Sequence, residues 1–172
     1  KYFGISEEKI FNNVFGTQKG PEMNLKYNDF FREEVHKTTM FPGIVEMLKE
    51  LQKDPTNTLA LYTARGRGTT DILLDHHGLL PLFRHVVTGT EVKEGKPHPE
   101  GLHQIKNVLG FQNEPMYYVG DSHKDIEMAL AIGAIPLGVQ WCPMVDKEKL
   151  AASKPHHLFD EPHHLRRFLI ST

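Results

Sequence analysis

The chain is short of the features that mark several large protein classes. Cys142 is the only cysteine in 172 residues, which excludes an internal disulfide framework and any zinc site built on several thiolates. No apolar run approaches the roughly 20 residues needed to cross a bilayer. The opening Lys1-Tyr2-Phe3-Gly4 has no signal-peptide pattern and no starting Met, so the reading expects a removed upstream segment rather than a secretory leader. Lys plus Arg (20) nearly balances Asp plus Glu (22), giving −2 with histidines neutral. No basic excess therefore points to nucleic acid or to an anionic membrane. Long repeats are also missing, since Pro155-His156-His157-Leu158 and Pro162-His163-His164-Leu165 are too short an echo for a solenoid. The expectation is a soluble, cytoplasmic chain of one domain with a small insert, large enough to bury about two-thirds of its unfolded surface.

What is present alternates between two periodicities. The first forty residues read as two charged helices. One starts at Ser6, and the other starts near Asn28 after a loop over 16–24 marked by Gly20-Pro21. From Phe41-Pro42-Gly43 onward the pattern changes. Short apolar runs at 59–62, 85–88, 116–119, 135–139 and 157–159 read as buried strands. Between them lie helical segments near 44–51, 69–74 (capped by Thr69 or Thr70), 99–109, 125–132 and 146–152, with a last helix from Pro162. Strands alternating with helices imply an α/β fold, a Rossmann-like mainly parallel sheet flanked by helices.

In such sheets, chemistry collects just beyond the carboxyl ends of strands. After the first strand come Thr63-Ala64-Arg65-Gly66-Arg67-Gly68, a hydroxyl and free amides near a helix start, able to hold an anion. A turn merely shaped by Thr63 and the glycines is the plainer alternative. After the second strand comes Glu94-Gly95-Lys96-Pro97-His98-Pro99-Glu100, where two prolines fix the backbone around Lys96 and restrict where its ammonium can go. An ordinary solvated lysine is its alternative. After the third come Gly120-Asp121-Ser122-His123-Lys124-Asp125. Asp121 and Asp125 share one side of a strand-to-helix turn, an arrangement of hard oxygen donors suited to Mg²⁺; helix capping is the plain reading.

In this order the three loops resemble the haloacid dehalogenase superfamily of phosphohydrolases. The residues that carry the resemblance are Leu59-Ala60-Leu61-Tyr62-Thr63, then Lys96 in Gly95-Lys96-Pro97-His98-Pro99, then Gly120-Asp121-Ser122-His123-Lys124-Asp125 through Ala129 and Gly133. Phe41-Pro42-Gly43 and Gly78-Leu79-Leu80-Pro81-Leu82-Phe83 add to it. The chain looks most similar to the phosphoglycolate-phosphatase-like branch. The resemblance implies a small helical cap over 1–39 and an α/β core over 40–172. It also implies a Mg²⁺-dependent phosphatase that hydrolyses a small-molecule phosphate ester through a phosphoaspartyl intermediate. Thr63 and the Ala64 N–H would hold the phosphoryl group, and Lys96 would pair with it and with the nucleophile. Asp121 would bind metal. Asp125 would bind metal directly or through water, or pair with Lys96. Arg65 and Arg67 are candidates for the substrate rim, weighed against plain solvation.

The departure from the family lies at the start. Members open with a central strand ending in Asp-x-Asp, which supplies nucleophile and general acid, and no Asp-x-Asp occurs here. The reading therefore expects the core to lack its first strand and the nucleophile to come from a segment before Lys1. The alternative is a non-catalytic relative that binds or regulates without a nucleophile. Gly120-Asp121, where related phosphomutases carry Glu-Asp, favours a phosphatase, and a retained Asp121 argues against dehalogenation. Phosphonate hydrolysis would need a cap lysine from among Lys1, Lys9, Lys19, Lys26 and Lys37.

Overall fold

A computed structural model describes residues 4–111 and 114–171. Lys1 lies outside them. Helix α1 (Glu7–Glu34) is two limbs broken at Gly16, whose φ of 77° is left-handed and suits glycine. The limbs fold back on each other. Phe11 stacks on Phe15 with centroids 6.1 Å apart and meets Tyr27 at a tilt at 5.5 Å, and Tyr27 stacks on Phe31 at 6.4 Å. Gly20 is buried at the crossing, where Asn12 occupies the space a Cβ would need. The loop expected over 16–24 is thus helical except at Gly16. Pro21 lies inside the second limb, which continues through it to Glu34.

The remainder runs α2 (Ile44–Lys53), β1 (Ala60–Tyr62), α3 (Arg67–His76), β2 (His85–Val87), α4 (Glu100–Leu109), β3 (Tyr117–Gly120), α5 (His123–Ala131), β4 (Ile135–Val139), α6 (Lys147–Ala152), β5 (His157–Phe159) and α7 (Pro162–Ile170). All pairings are parallel, as expected for strands joined by helical crossovers. They form two sheets, β1-β2 and β3-β4-β5. Among the described residues no strand joins them: β1 and β3 each present an unpaired edge, and Val119 in β3 is 39% exposed. Helix α3 starts at Arg67 instead of at a Thr cap. Thr69 and Thr70 sit inside its first turn and donate their hydroxyls to Gly66 O.

Helices pack on both faces. On one, Met47 and Leu51 of α2 and Leu165 of α7 meet Leu137, Val139 and Phe159. On the other, Leu102 and Ile105 of α4 and Met128 of α5 meet Tyr62, Val87 and Val92. No helix among the described residues is long and apolar enough to cross a membrane.

Leu137 is fully buried, whereas Leu130 is 53% exposed on α5. Urea titration of Leu137→Ala is expected to show a loss of about 2–5 kcal/mol of unfolding free energy. Leu130→Ala is expected to change it by no more than about 0.5 kcal/mol.

Candidate active site

The carboxyl ends of β1 and β3 meet through side chains. The Lys96 ammonium donates to Asp125 Oδ1 at 2.9 Å and to Tyr62 O, at the end of β1, at 3.1 Å. It also lies over the rings of Tyr62 and Tyr118, 4.8 and 5.4 Å from their centroids, which stabilises a cation further. The Lys96 and Asp125 side chains are only 15% and 6% exposed. The ammonium is therefore held in a partly dry site and does not face bulk solvent.

Asp125 has no free oxygen. Oδ1 accepts from Lys96 and, at 3.3 Å, from the Tyr118 hydroxyl. Oδ2 accepts from Ser122 N at 3.1 Å and Ser122 Oγ at 2.6 Å. Ser122 Oγ accepts in turn from Asp125 N, closing a reciprocal capping box at the start of α5. Gly120 is required beneath it, because the Asp125 side chain fills the space of a Cβ there. Burial works to raise the Asp125 pKa, but the Lys96 charge and the Ser122 donors outweigh it and hold the carboxyl below its usual value. Burial pushes the Tyr62 hydroxyl up to about 12, helped by the charges of Glu100 and Asp125.

Asp121 differs. It is open to solvent at the end of β3 and accepts no hydrogen bond from another described residue. Its carboxyl is pushed up by partial burial and by the Asp125 charge, with Lys96 opposing. A carboxylate without a partner, next to a second negative charge, is the environment a hard divalent cation relieves. Asp121 fits Mg²⁺ in this respect, whereas the saturated Asp125 fits as the lysine's partner. No cluster of three or more His, Cys, Asp or Glu side chains forms among the described residues. The rest of a coordination shell therefore falls to other groups.

The turn after β1 stands beside this pair. Thr63 N donates to Val87 O at 3.1 Å, and Thr63 Oγ1 accepts from Arg65 N at 3.2 Å. Arg67 N donates to Thr90 Oγ1 at 3.1 Å. The Ala64 N–H is left without a partner among the described residues. The two arginines diverge. Arg67 is consumed by Glu91 at 2.9 and 3.1 Å, Asp71 at 3.3 Å and Val86 O at 2.8 Å, so it clamps α3 to the loop after β2. Arg65 lies over Phe31 at 5.2 Å and 3.5 Å from Glu7. The sequence reading missed Tyr62, Tyr118 and Glu7. Tyr118 lies just before the Gly120-Asp121 pair, and Tyr62 just before Thr63, so their closeness to the motifs was the available signal. A cavity of about 460 Å³ opens near the other ends of β1 and β2, lined by residues that include Leu59, Leu82, Arg84 and Phe111. It shares no residue with this cluster.

A raised folded-state pKa gives Asp121 a definite sign. The folded protein holds the Asp121 proton more tightly than the unfolded chain does, so ionisation costs stability as pH rises through the folded value. Asp121→Asn is expected to raise the thermal midpoint at pH 7 in metal-free buffer, and the gain should shrink as pH falls toward 4. A variant less stable than the parent at pH 7 would contradict this environment.

Comparison with known proteins gives this arrangement a family. The sequence model of haloacid dehalogenase-like hydrolases matches residues 1–139. The chain is 32% identical to a phosphoglycolate phosphatase from Vibrio vulnificus over 157 residues, 91% of this chain and 68% of the relative. It is 26% identical to the pyrophosphatase PpaX from Oceanobacillus iheyensis over 161 residues, 94% of this chain and 74% of the relative. It spans 48% of a phosphoglycolate phosphatase from Salmonella typhimurium. The fold matches a crystal structure of β-phosphoglucomutase from Clostridium difficile with a TM-score of 0.77 at 20% identity, over 99% of this chain and 77% of that one. With its Lys96–Asp125 pair and the three loops at the carboxyl ends of a parallel sheet, the chain belongs to the haloacid dehalogenase-like hydrolase family.

Proposed function

We propose that the chain is the greater part of a Mg²⁺-dependent phosphatase acting on a small-molecule phosphomonoester, with the nucleophilic aspartate supplied by a segment before Lys1. The observation that carries this is the placement of the Lys96 ammonium. It is fixed between Tyr62 O and Asp125 Oδ1 at the ends of two strands whose facing edges are unpaired. Those edges suit one further parallel strand, whose carboxyl end would emerge beside Lys96. The β1 and β3 edges would then lose the exposed backbone groups that are otherwise a liability.

The roles follow from charge. A phosphomonoester dianion repels a carboxylate nucleophile, so transfer to an aspartate requires preorganised cations and donors. Lys96 supplies a cation whose position is set by Asp125, which is itself fixed by Ser122 and Tyr118. Asp125 is a positioning residue in this reading. The Ala64 N–H and the Thr63 hydroxyl are the donors available to the transferred oxygens. Asp121 would hold Mg²⁺, which when bound supplies further charge neutralisation at the phosphoryl oxygens. The hairpin of α1 acts as the cap above the site. Phosphatase and pyrophosphatase relatives support hydrolysis of phosphate esters, and a cytoplasmic location belongs to the same reading.

Kinetics of the protein bearing the upstream segment test the assignment. Lys96→Met is expected to lower kcat at least about a hundredfold, the scale of losing a preorganised donor to developing charge. It also strands a buried carboxylate, so turnover is to be measured where circular dichroism shows the variant folded. Asp121→Asn is expected to abolish most of the Mg²⁺-dependent rate. Near-normal kcat in either folded variant would remove that residue from the mechanism. No phosphatase activity in the parent would favour the non-catalytic binding protein.

A further inference from the structure

Two glycines at the start of α3, Gly66 just before it and Gly68 in its first turn, are not explained by backbone conformation. Gly66 has φ −71° and ψ 158°, open to any residue, and Gly68 lies within helix α3. Each is explained by a side chain from α1. A Cβ on Gly66 would lie 2.8 Å from Glu7 Oε2, and a Cβ on Gly68 would overlap the Asn28 amide. Glu7 Oε2 accepts the Gly66 N–H, and its Oε1 accepts the Thr69 hydroxyl at 2.9 Å. Thr69 is 1% exposed. Lys9 adds a second tie, donating to Val92 O at 2.6 Å.

We propose that Glu7 is a positioning residue that couples the seating of the α1 hairpin on the core to the shape of the anion-binding turn. With the hairpin seated, the Glu7 carboxylate takes the Gly66 amide and the Thr69 hydroxyl, the two donors that begin α3. That fixes the start of the helix, and the preceding residues Thr63 and Ala64 are held between it and β1. With the hairpin lifted, the Gly66 amide loses its acceptor, the Thr69 hydroxyl is left with Gly66 O at 3.3 Å, and the turn loses its tie to α1. The turn is therefore fully formed only under a closed hairpin. The role in phosphate binding rests on the phosphatase reading, whereas the coupling does not.

Amide hydrogen exchange on this chain tests the coupling directly. Glu7→Ala is expected to speed exchange over 63–69 by about tenfold or more, the scale of losing a charge-assisted bond. Exchange over 135–139 should hold steady. Glu7→Gln, which keeps an acceptor oxygen, is expected to restore most of the protection. Gly66→Ala, which displaces Glu7 without removing it, is expected to loosen the same segment. Unchanged exchange over 63–69 in both Glu7→Ala and Gly66→Ala would overturn the proposal, as would an equal rise over 135–139. If the expected exchange pattern accompanies a parent protein without phosphatase activity, the coupling stands and the phosphatase reading fails.

Discussion

The Lys96–Asp125 ion pair ties the two halves of the α/β core together at the site, beside the Tyr118 hydroxyl's bond to Tyr62 O. Both charges are largely out of water, and removing either one leaves the other stranded at a cost on the order of 3–5 kcal/mol. The pair is tolerable because its remaining valences are filled. Ser122 gives Asp125 two donors, Tyr118 gives a third, and Tyr62 O and two aromatic faces complete the lysine's surroundings. Much else follows from this demand. Gly120 has to be small, Ser122 has to cap α5, and Pro97 and Pro99 stiffen the loop just after the lysine.

The same ion pair bridges two sheet edges that do not bond to each other. Parallel strands are normally buried on both faces and paired on both sides when central, yet Val119 of β3 is 39% exposed. The α1 hairpin is in a similar position, with Leu25 64% and Phe30 57% exposed. Lys96 lies between these two unpaired edges, bonded to Tyr62 O on one side and to Asp125 on the other.

The strand and helix order was legible because buried parallel strands appear as short apolar runs and amphipathic helices as 3.6-residue stripes. The three loops could be ranked because they follow those strands. Other features depended on contacts distant in sequence. Gly20-Pro21 looked like the mark of a loop over 16–24, but the break is confined to Gly16, and Phe11 meets Tyr27 across it. Thr69 looked like a helix cap, but its hydroxyl belongs to Glu7, sixty-two residues earlier. Arg65 and Arg67 looked alike, and only the fold gives one to Glu91 and the other to Phe31. The family resemblance left Asp125 between metal ligand and lysine partner. Counting its hydrogen bonds favours the second.

The central claim is that a strand bearing the nucleophilic aspartate completes this core between β1 and β3. A crystal structure of the protein with its natural upstream sequence tests it most directly. The account predicts that the upstream strand hydrogen-bonds in parallel to both Tyr62 and Val119 edges, with its terminal carboxylate within hydrogen-bond reach of Lys96 Nζ. An upstream segment paired elsewhere, or β1 bonded directly to β3, would contradict it.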